Sequence, residues 1–154
     1  RPLRTRNRED QSPLEIGLGG VVEVSEVREV GAIETKRSRV WLGDDGIFRA
    51  AHPGELDLED AKQLIAAQPM LGDGKLRPIL VNNGRRGRAT RAALAHFNSE
   101  EAARIVSACA VLQTSRIAKM VANLFLRIEE KRYPTRLFTD EGEAIAWLKG
   151  FLPK

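Results

Sequence analysis

The chain is poor in the residues that most often announce chemistry. It has a single cysteine and only two histidines in 154 residues. One cysteine excludes an internal disulfide. Cys109 lies in the apolar run 108–112 with no histidine or basic group beside it, the setting of a buried structural thiol. His52 and His96 stand apart, without a cysteine or carboxylate cluster at ligand spacing, so no metal site is expected. His52, next to Pro53 and Gly54, reads as a loop residue. Aromatic residues amount to 5%, and Trp41, Phe97, Trp147 and Phe151 all fall in apolar patterns that read as core. Few rings are left to stack on nucleic-acid bases. No apolar run approaches the ~20 residues of a membrane span, which excludes a spanning helix. With neither disulfides nor the apolar core of a signal peptide, a cytoplasmic setting is expected. No phosphate-binding or zinc-binding signature occurs, and no nucleophile has a base and an orienting acid. The expectation is therefore no catalytic residue, no cofactor and no enzyme.

What is present is ordinary globular material, with hydrophobic residues at 42% and charged residues at 30%. At 17.1 kDa the chain suits one domain, able to bury roughly two thirds of its unfolded surface. The net charge of +4 is carried by Arg1, Arg4, Arg6 and Arg8, so residues 9–154 balance. A polar, basic, proline-containing start of this kind reads as a disordered tail over 1–20. Because the first residue is Arg, a fragment or a processed product is expected. Val21, Val22, Val24, Val27 and Val30 alternate loosely with charged residues and read as a β-rich segment over 21–36, either an edge of the main sheet or an arm that pairs with another copy. The main domain is expected over 37–154.

Within that domain Asp45-Gly46 separates two short apolar runs and predicts a tight hairpin. Asp57 caps a helix whose Leu58, Ala61, Leu64 and Ile65 share a face, with Pro69, Gly72 and Gly74 ending it. The stretch 78–97 organises the rest. Ile79, Leu80 and Val81 form an interior strand that Asn82, Asn83 and Gly84 stop; Arg85, Arg86 and Arg88 make a basic loop, and Thr90 stands at the N-cap of a helix starting at Arg91. Helical pattern resumes over 100–106, and 107–112 reads as a strand covered on both faces. Ser115 caps a further helix with Ile117, Met120, Val121, Leu124 and Ile128 on one side. A last strand follows over 135–139. Asp140 and Glu143 predict a capping box for a closing helix with Ala144, Trp147, Leu148 and Phe151 on one face. Hairpin, helix, and then alternating strands and helices imply an α/β fold. Its sheet is mixed and mostly parallel, with about five strands, an antiparallel edge hairpin and about four covering helices.

The segments VWLGDDGIFR, LEDAKQL, RPILVN, EEAARIVSACAVL and above all YPTRLFTDEGEAIAWLKGFL resemble small bacterial proteins of the STAS fold, related to the anti-sigma factor antagonist SpoIIAA and also called STAS/SEC14-like. The resemblance spans about 40–152. It implies a protein-interaction module, regulatory or scaffolding, with a kinase, an anti-sigma-like protein or a scaffold protein as partner. In such antagonists a Ser or Thr that opens the helix after the central strand is phosphorylated, and Thr90 occupies that place. Ala89, Thr90, Arg91 and Ala92 replace the Asp-Ser pair and following Gly of those proteins, and Asn82 stands where they carry Asp. Thr90 is thus either a phosphoacceptor or a plain N-cap. Asn82, Asn83, Arg85, Arg86, Arg88 and Arg91 are either a solvated rim or a partner-binding and anion-binding edge. Self-assembly through the valine-rich segment is compatible with both. Binding of a small anionic or lipid-like ligand is the alternative reading, and nucleic-acid binding through the arginines ranks last.

Overall fold

The computed structural model describes residues 4–6, 14–16, 20–22, 29–82, 88–113 and 131–154, with side chains from residue 31 onward. Its centre is a seven-stranded mixed sheet. In spatial order the strands are β1 (Arg4–Arg6), β4 (Glu29–Glu34), β5 (Arg39–Gly43), β6 (Phe48–Ala51), β8 (Arg77–Asn82), β10 (Val106–Leu112) and β11 (Thr135–Phe138). Pairings are antiparallel from β1 to β6 and parallel from β6 to β11. Among the described residues two small ladders accompany this sheet. One pairs β2 (Leu14–Ile16) with β3 (Gly20–Val22); the other pairs β7 (Glu55–Leu56) with β9 (Arg88–Ala89).

The α/β class and the mixed sheet with an antiparallel edge agree with the expectation from sequence, but the sheet is wider than five strands. The valine-rich segment supplies β4, which pairs with β5 along its length. Within the stretch read as a tail, the backbone at Arg4–Arg6 pairs with residues 32–34 of β4. Ladder bonds are backbone bonds, so a polar sequence beside an open strand edge can be drawn into a sheet without an apolar face of its own.

The hairpin β5–β6 turns at Asp45-Gly46, with Gly46 at φ +82°. The Gly43 N–H bonds the Ile47 carbonyl at 3.0 Å, and the Gly46 N–H bonds the Gly43 carbonyl at 3.0 Å. Helix α1 (Leu58–Leu71) opens with a full capping box: Asp57 accepts from the Asp60 N–H, and Asp60 accepts from the Asp57 N–H. Pro69 lies inside this helix and does not end it. It has no N–H to offer the Ile65 carbonyl, yet the helix runs two residues further before the Gly72 N–H closes it on the Gln68 carbonyl at 3.2 Å. Ala61, Leu64 and Ile65 are buried as the spacing predicts, whereas Leu58, in the first turn, is 37% exposed.

Helix α2 (Arg91–Phe97) is followed by α3 (Glu100–Ala103), which is shorter than the pattern over 100–106 suggests. The chain turns at Arg104-Ile105 and enters the sheet at the β-branched Val106, and the Ile105 carbonyl accepts from the Arg77 N–H at 3.2 Å. Helix α4 (Glu141–Leu148) is capped by Asp140, which accepts from the Glu143 N–H at 2.8 Å. Only this half of the predicted box is formed; Glu143 is exposed and the complete box belongs to α1. The helix expected after Ser115 lies outside the described residues.

Two cores flank the sheet. On one face α1 and α2 cover Ile33, Val40, Leu42, Phe48, Ala50 and Ile79. On the other, Ala144 and Leu148 of α4 pack on Leu80, Ala108, Ala110 and Phe138. Burial of this kind contributes roughly 25 cal/mol per Å² of apolar surface. No helix among the described residues is long and apolar enough to cross a membrane.

Candidate functional site

Parallel pairing brings the carboxyl ends of four strands to one rim. Ala51 of β6 is opposite Asn82 of β8, Asn82 is opposite Leu112 of β10, and Leu112 is opposite Phe138 of β11. In an open α/β sheet this rim is where ligands and partners are met, because the strands end there and the helices begin. Asn82 and Thr90 both lie along it.

Thr90 has extended backbone geometry, and its hydroxyl accepts the Ala93 N–H at 3.2 Å, the N-cap bond expected from sequence. Its own N–H donates to the Leu56 carbonyl at 2.9 Å. Arg88 is strongly exposed and pairs with the Glu55 carboxylate, Nε to Oε2, at 3.1 Å. An exposed pair like this adds little stability, so the guanidinium remains available to another anion. Arg91 is also exposed. The structure thus brings Asn82, Arg88, Thr90 and Arg91 together; Asn83, Arg85 and Arg86 lie outside the described residues.

Beneath the rim is a polar cluster that the sequence reading did not single out. His52 follows β6 directly, as a loop residue should, but it is 1% exposed. Its Nδ1 is hydrogen-bonded to the Ser38 hydroxyl, and its Nε2 lies 3.0 Å from the Glu55 carbonyl. A carbonyl only accepts, so Nε2 carries the proton, and in the neutral ring Nδ1 takes the Ser38 hydrogen. The buried Asp60 carboxylate is 3.7 Å from Nε2. Arg37 closes the cluster: Nη2 donates to the Glu55 carbonyl at 2.6 Å, and Nη1 lies 3.4 Å from Asp60 and 3.6 Å from Asp57. The Asp60 N–H, aided by Arg37, holds the Asp57 carboxyl below its ordinary value.

A serine, a histidine and an aspartate in contact invite comparison with a nucleophilic triad. The geometry argues otherwise. Ser38 is 7% exposed, the ring proton goes to a backbone carbonyl, and Asp60 is engaged by the Asp57 N–H and Arg37. What the cluster does is satisfy buried polar groups from two separate stretches of chain, 37–38 and 52–60. A histidine between an apolar strand and a Pro-Gly turn was the one available signal, and it does not reveal which partners packing will supply.

Two further polar groups lie under α2. Tyr133 donates its hydroxyl to the Phe97 carbonyl, and burial pushes its phenol pKa up. Cys109 packs against the same core, and burial pushes its thiol up to about 12, in keeping with a structural role.

Residues 40–152 match the family described as Domain of unknown function (DUF7793). The chain belongs to this family. The DUF7793 region runs from within β5 through α4 and so includes the rim and the 52–60 part of the cluster beneath it, while Arg37 and Ser38 lie just before it. No match was found among curated proteins. Among solved structures, the chain is similar to an uncharacterized protein of the DUF3478 family with a SpoIIAA-like fold from Shewanella loihica PV-4. The two are 17% identical, the match covers 75% of this chain and 96% of that one, and the TM-score is 0.51. The DUF7793 chain therefore has the SpoIIAA-like, STAS fold that its segments resemble.

Proposed function

We propose that this chain is a non-enzymatic interaction module, regulatory or scaffolding, which captures an acidic surface of a partner protein on the rim from Asn82 to Arg91. The observation that carries this reading is the placement of Arg88 and Arg91, both exposed, on either side of Thr90 at the carboxyl ends of the parallel strands. Their backbone is held by the β7–β9 ladder and by the Thr90 cap, so two guanidinium groups are presented from a fixed frame. Planar guanidinium forks suit carboxylate and phosphate oxygens, and prior ordering of the frame lowers the entropic cost of capture. Thr90 is the candidate phosphoacceptor on this rim. A phosphate there would add negative charge between the two arginines and offset the attraction they offer to an acidic partner.

The test is affinity capture from the native source with the full chain, comparing wild type with the Arg88→Glu, Arg91→Glu double variant. A defined protein retained through a high-salt wash by wild type and lost by the variant is the expected result. Equal capture by both would remove the rim from the interaction. Nucleic acid released by salt would favour the charge-only reading instead.

A further inference from the structure

Residues 52–56 hold both flanks of the rim. At one end the His52 N–H donates to the Asn82 carbonyl at 3.1 Å, tying the segment to the end of β8. At the other end Glu55 and Leu56 pair with Arg88 and Ala89, and the Leu56 carbonyl takes the Thr90 N–H. Asn82 and Arg88 are both fastened to a single five-residue bracket. Gly54, at φ +79° with open space around it, lets that bracket turn.

The bracket is itself anchored from below. The Glu55 carbonyl, which lies in the strand that pairs with Arg88, accepts from both the His52 ring and Arg37. The ring is held in turn by Ser38. Ladders of two residues are too short to be stable alone, so β7–β9 depends on what fixes β7.

We infer that His52 is a positioning residue for the proposed interaction rim: through the Glu55 carbonyl it fixes β7, and thereby sets the separation of Asn82 from Arg88 and Thr90. This rests on the reading of that rim as the working surface, yet it concerns geometry that exists without a partner. It is tested without one.

The experiment is native-state amide hydrogen exchange on the full chain, reading the Thr90 amide against that of Cys109, which donates to the Pro134 carbonyl within the main sheet. Two variants divide the ring's contacts. Glutamine at 52 places an amide near the Nε2 position and keeps a donor for the Glu55 carbonyl; asparagine reaches only the Nδ1 position and Ser38. The expected result is that His52→Asn lowers Thr90 protection by about ten-fold or more with Cys109 unchanged, and that His52→Gln largely restores it. Arg37→Ala, at a partly exposed position, is expected to lower Thr90 protection several-fold in the same selective way, and it decides the matter if the His52 variants do not fold. Unchanged Thr90 protection, an equal fall at Thr90 and Cys109, or equal behaviour of the Asn and Gln variants would overturn the assignment. A chain that passes this test but captures nothing through Arg88 and Arg91 would keep the bracket and lose the interaction reading.

Discussion

Arg49 grips Asp45 with both prongs of its guanidinium, Nη1 to Oδ1 at 2.9 Å and Nη2 to Oδ2 at 2.8 Å, with the arginine side chain 3% exposed. The aspartate also accepts the Ile47 N–H at 3.1 Å, so one carboxylate orders the hairpin turn and neutralises a buried cation. Partial burial pushes the Asp45 carboxyl up. The Arg49 bond and charge, with the Ile47 N–H, outweigh it and leave the pKa below the ordinary value.

Asp45→Asn leaves the Arg49 charge buried without its counter-charge, a defect expected to cost about 3–5 kcal/mol. Urea unfolding measures it. The pH dependence has a definite sign. The folded pKa lies below the unfolded value of 3.8, so the pair's stabilisation is complete above that value and is lost as pH falls through the folded pKa. The gap between wild type and variant should therefore narrow in an acid titration of the urea midpoint. A constant gap would contradict the pairing.

Gly46 and Gly54 separate two effects of adding a methyl group. Both have φ near +80°, at +82° and +79°. A Cβ at Gly46 would stand 2.9 Å from Arg77 Nη1 and 3.2 Å from Leu152 Cδ2, whereas one at Gly54 meets nothing within 4 Å. Gly54→Ala should lose about 1–2 kcal/mol from left-handed backbone alone. Gly46→Ala should lose more, because Arg77 must also leave the Gly46 carbonyl, to which it donates at 3.1 Å. Paired thermal melts check the order.

Thr90→Ala removes the N-cap of α2 and should cost about 1 kcal/mol, while Thr90→Ser keeps the hydroxyl and most of the stability. Equal losses in denaturant melts would show that the methyl group, and not the Ala93 N–H bond, is what matters there.

Leu148 and Leu58 are alike in sequence pattern and opposite in environment. Leu148 is fully buried on α4, and Leu148→Ala should cost about 2–5 kcal/mol by transfer and cavity terms. Leu58 is 37% exposed, and Leu58→Ala should stay within roughly 1 kcal/mol. Denaturant midpoints for both variants measure the difference.

Much of the fold was readable because its signals are local. Asp45-Gly46 demands a turn wherever it lies, Asp57 and Thr90 cap the helices that follow them, and the apolar runs at 79–81 and 107–112 have no amphipathic alternative. Pro69 does not set the end of α1: its missing N–H and the clash of its ring with the carbonyl four residues back are a local cost, and the buried Leu64, Ile65, Ala67 and Gln68 hold that turn in place. The Asp140–Glu143 spacing fits a capping box, yet an exposed glutamate has water as a competing partner, and the reciprocal bond is not made.

The rim divides along the same line. Asn82, Arg88, Thr90 and Arg91 were found from a strand, a turn and a cap in unbroken succession, all within ten residues of one another. The Ser38, His52 and Arg37 contacts were not, since the hydroxyl is 14 residues from the ring and Arg37 is 18 from Glu55. By itself the sequence determined the α/β class, the hairpin, the helix caps and the charge of the rim, because propensity, turn chemistry and periodicity act between near neighbours. Only the tertiary structure decided that β4 joins the main sheet, that His52 is buried, and that residues 52–56 clamp both flanks of the rim. Those outcomes depend on which distant polar groups packing brings within hydrogen-bond reach, and a buried polar group has no fixed value until its partners are in place.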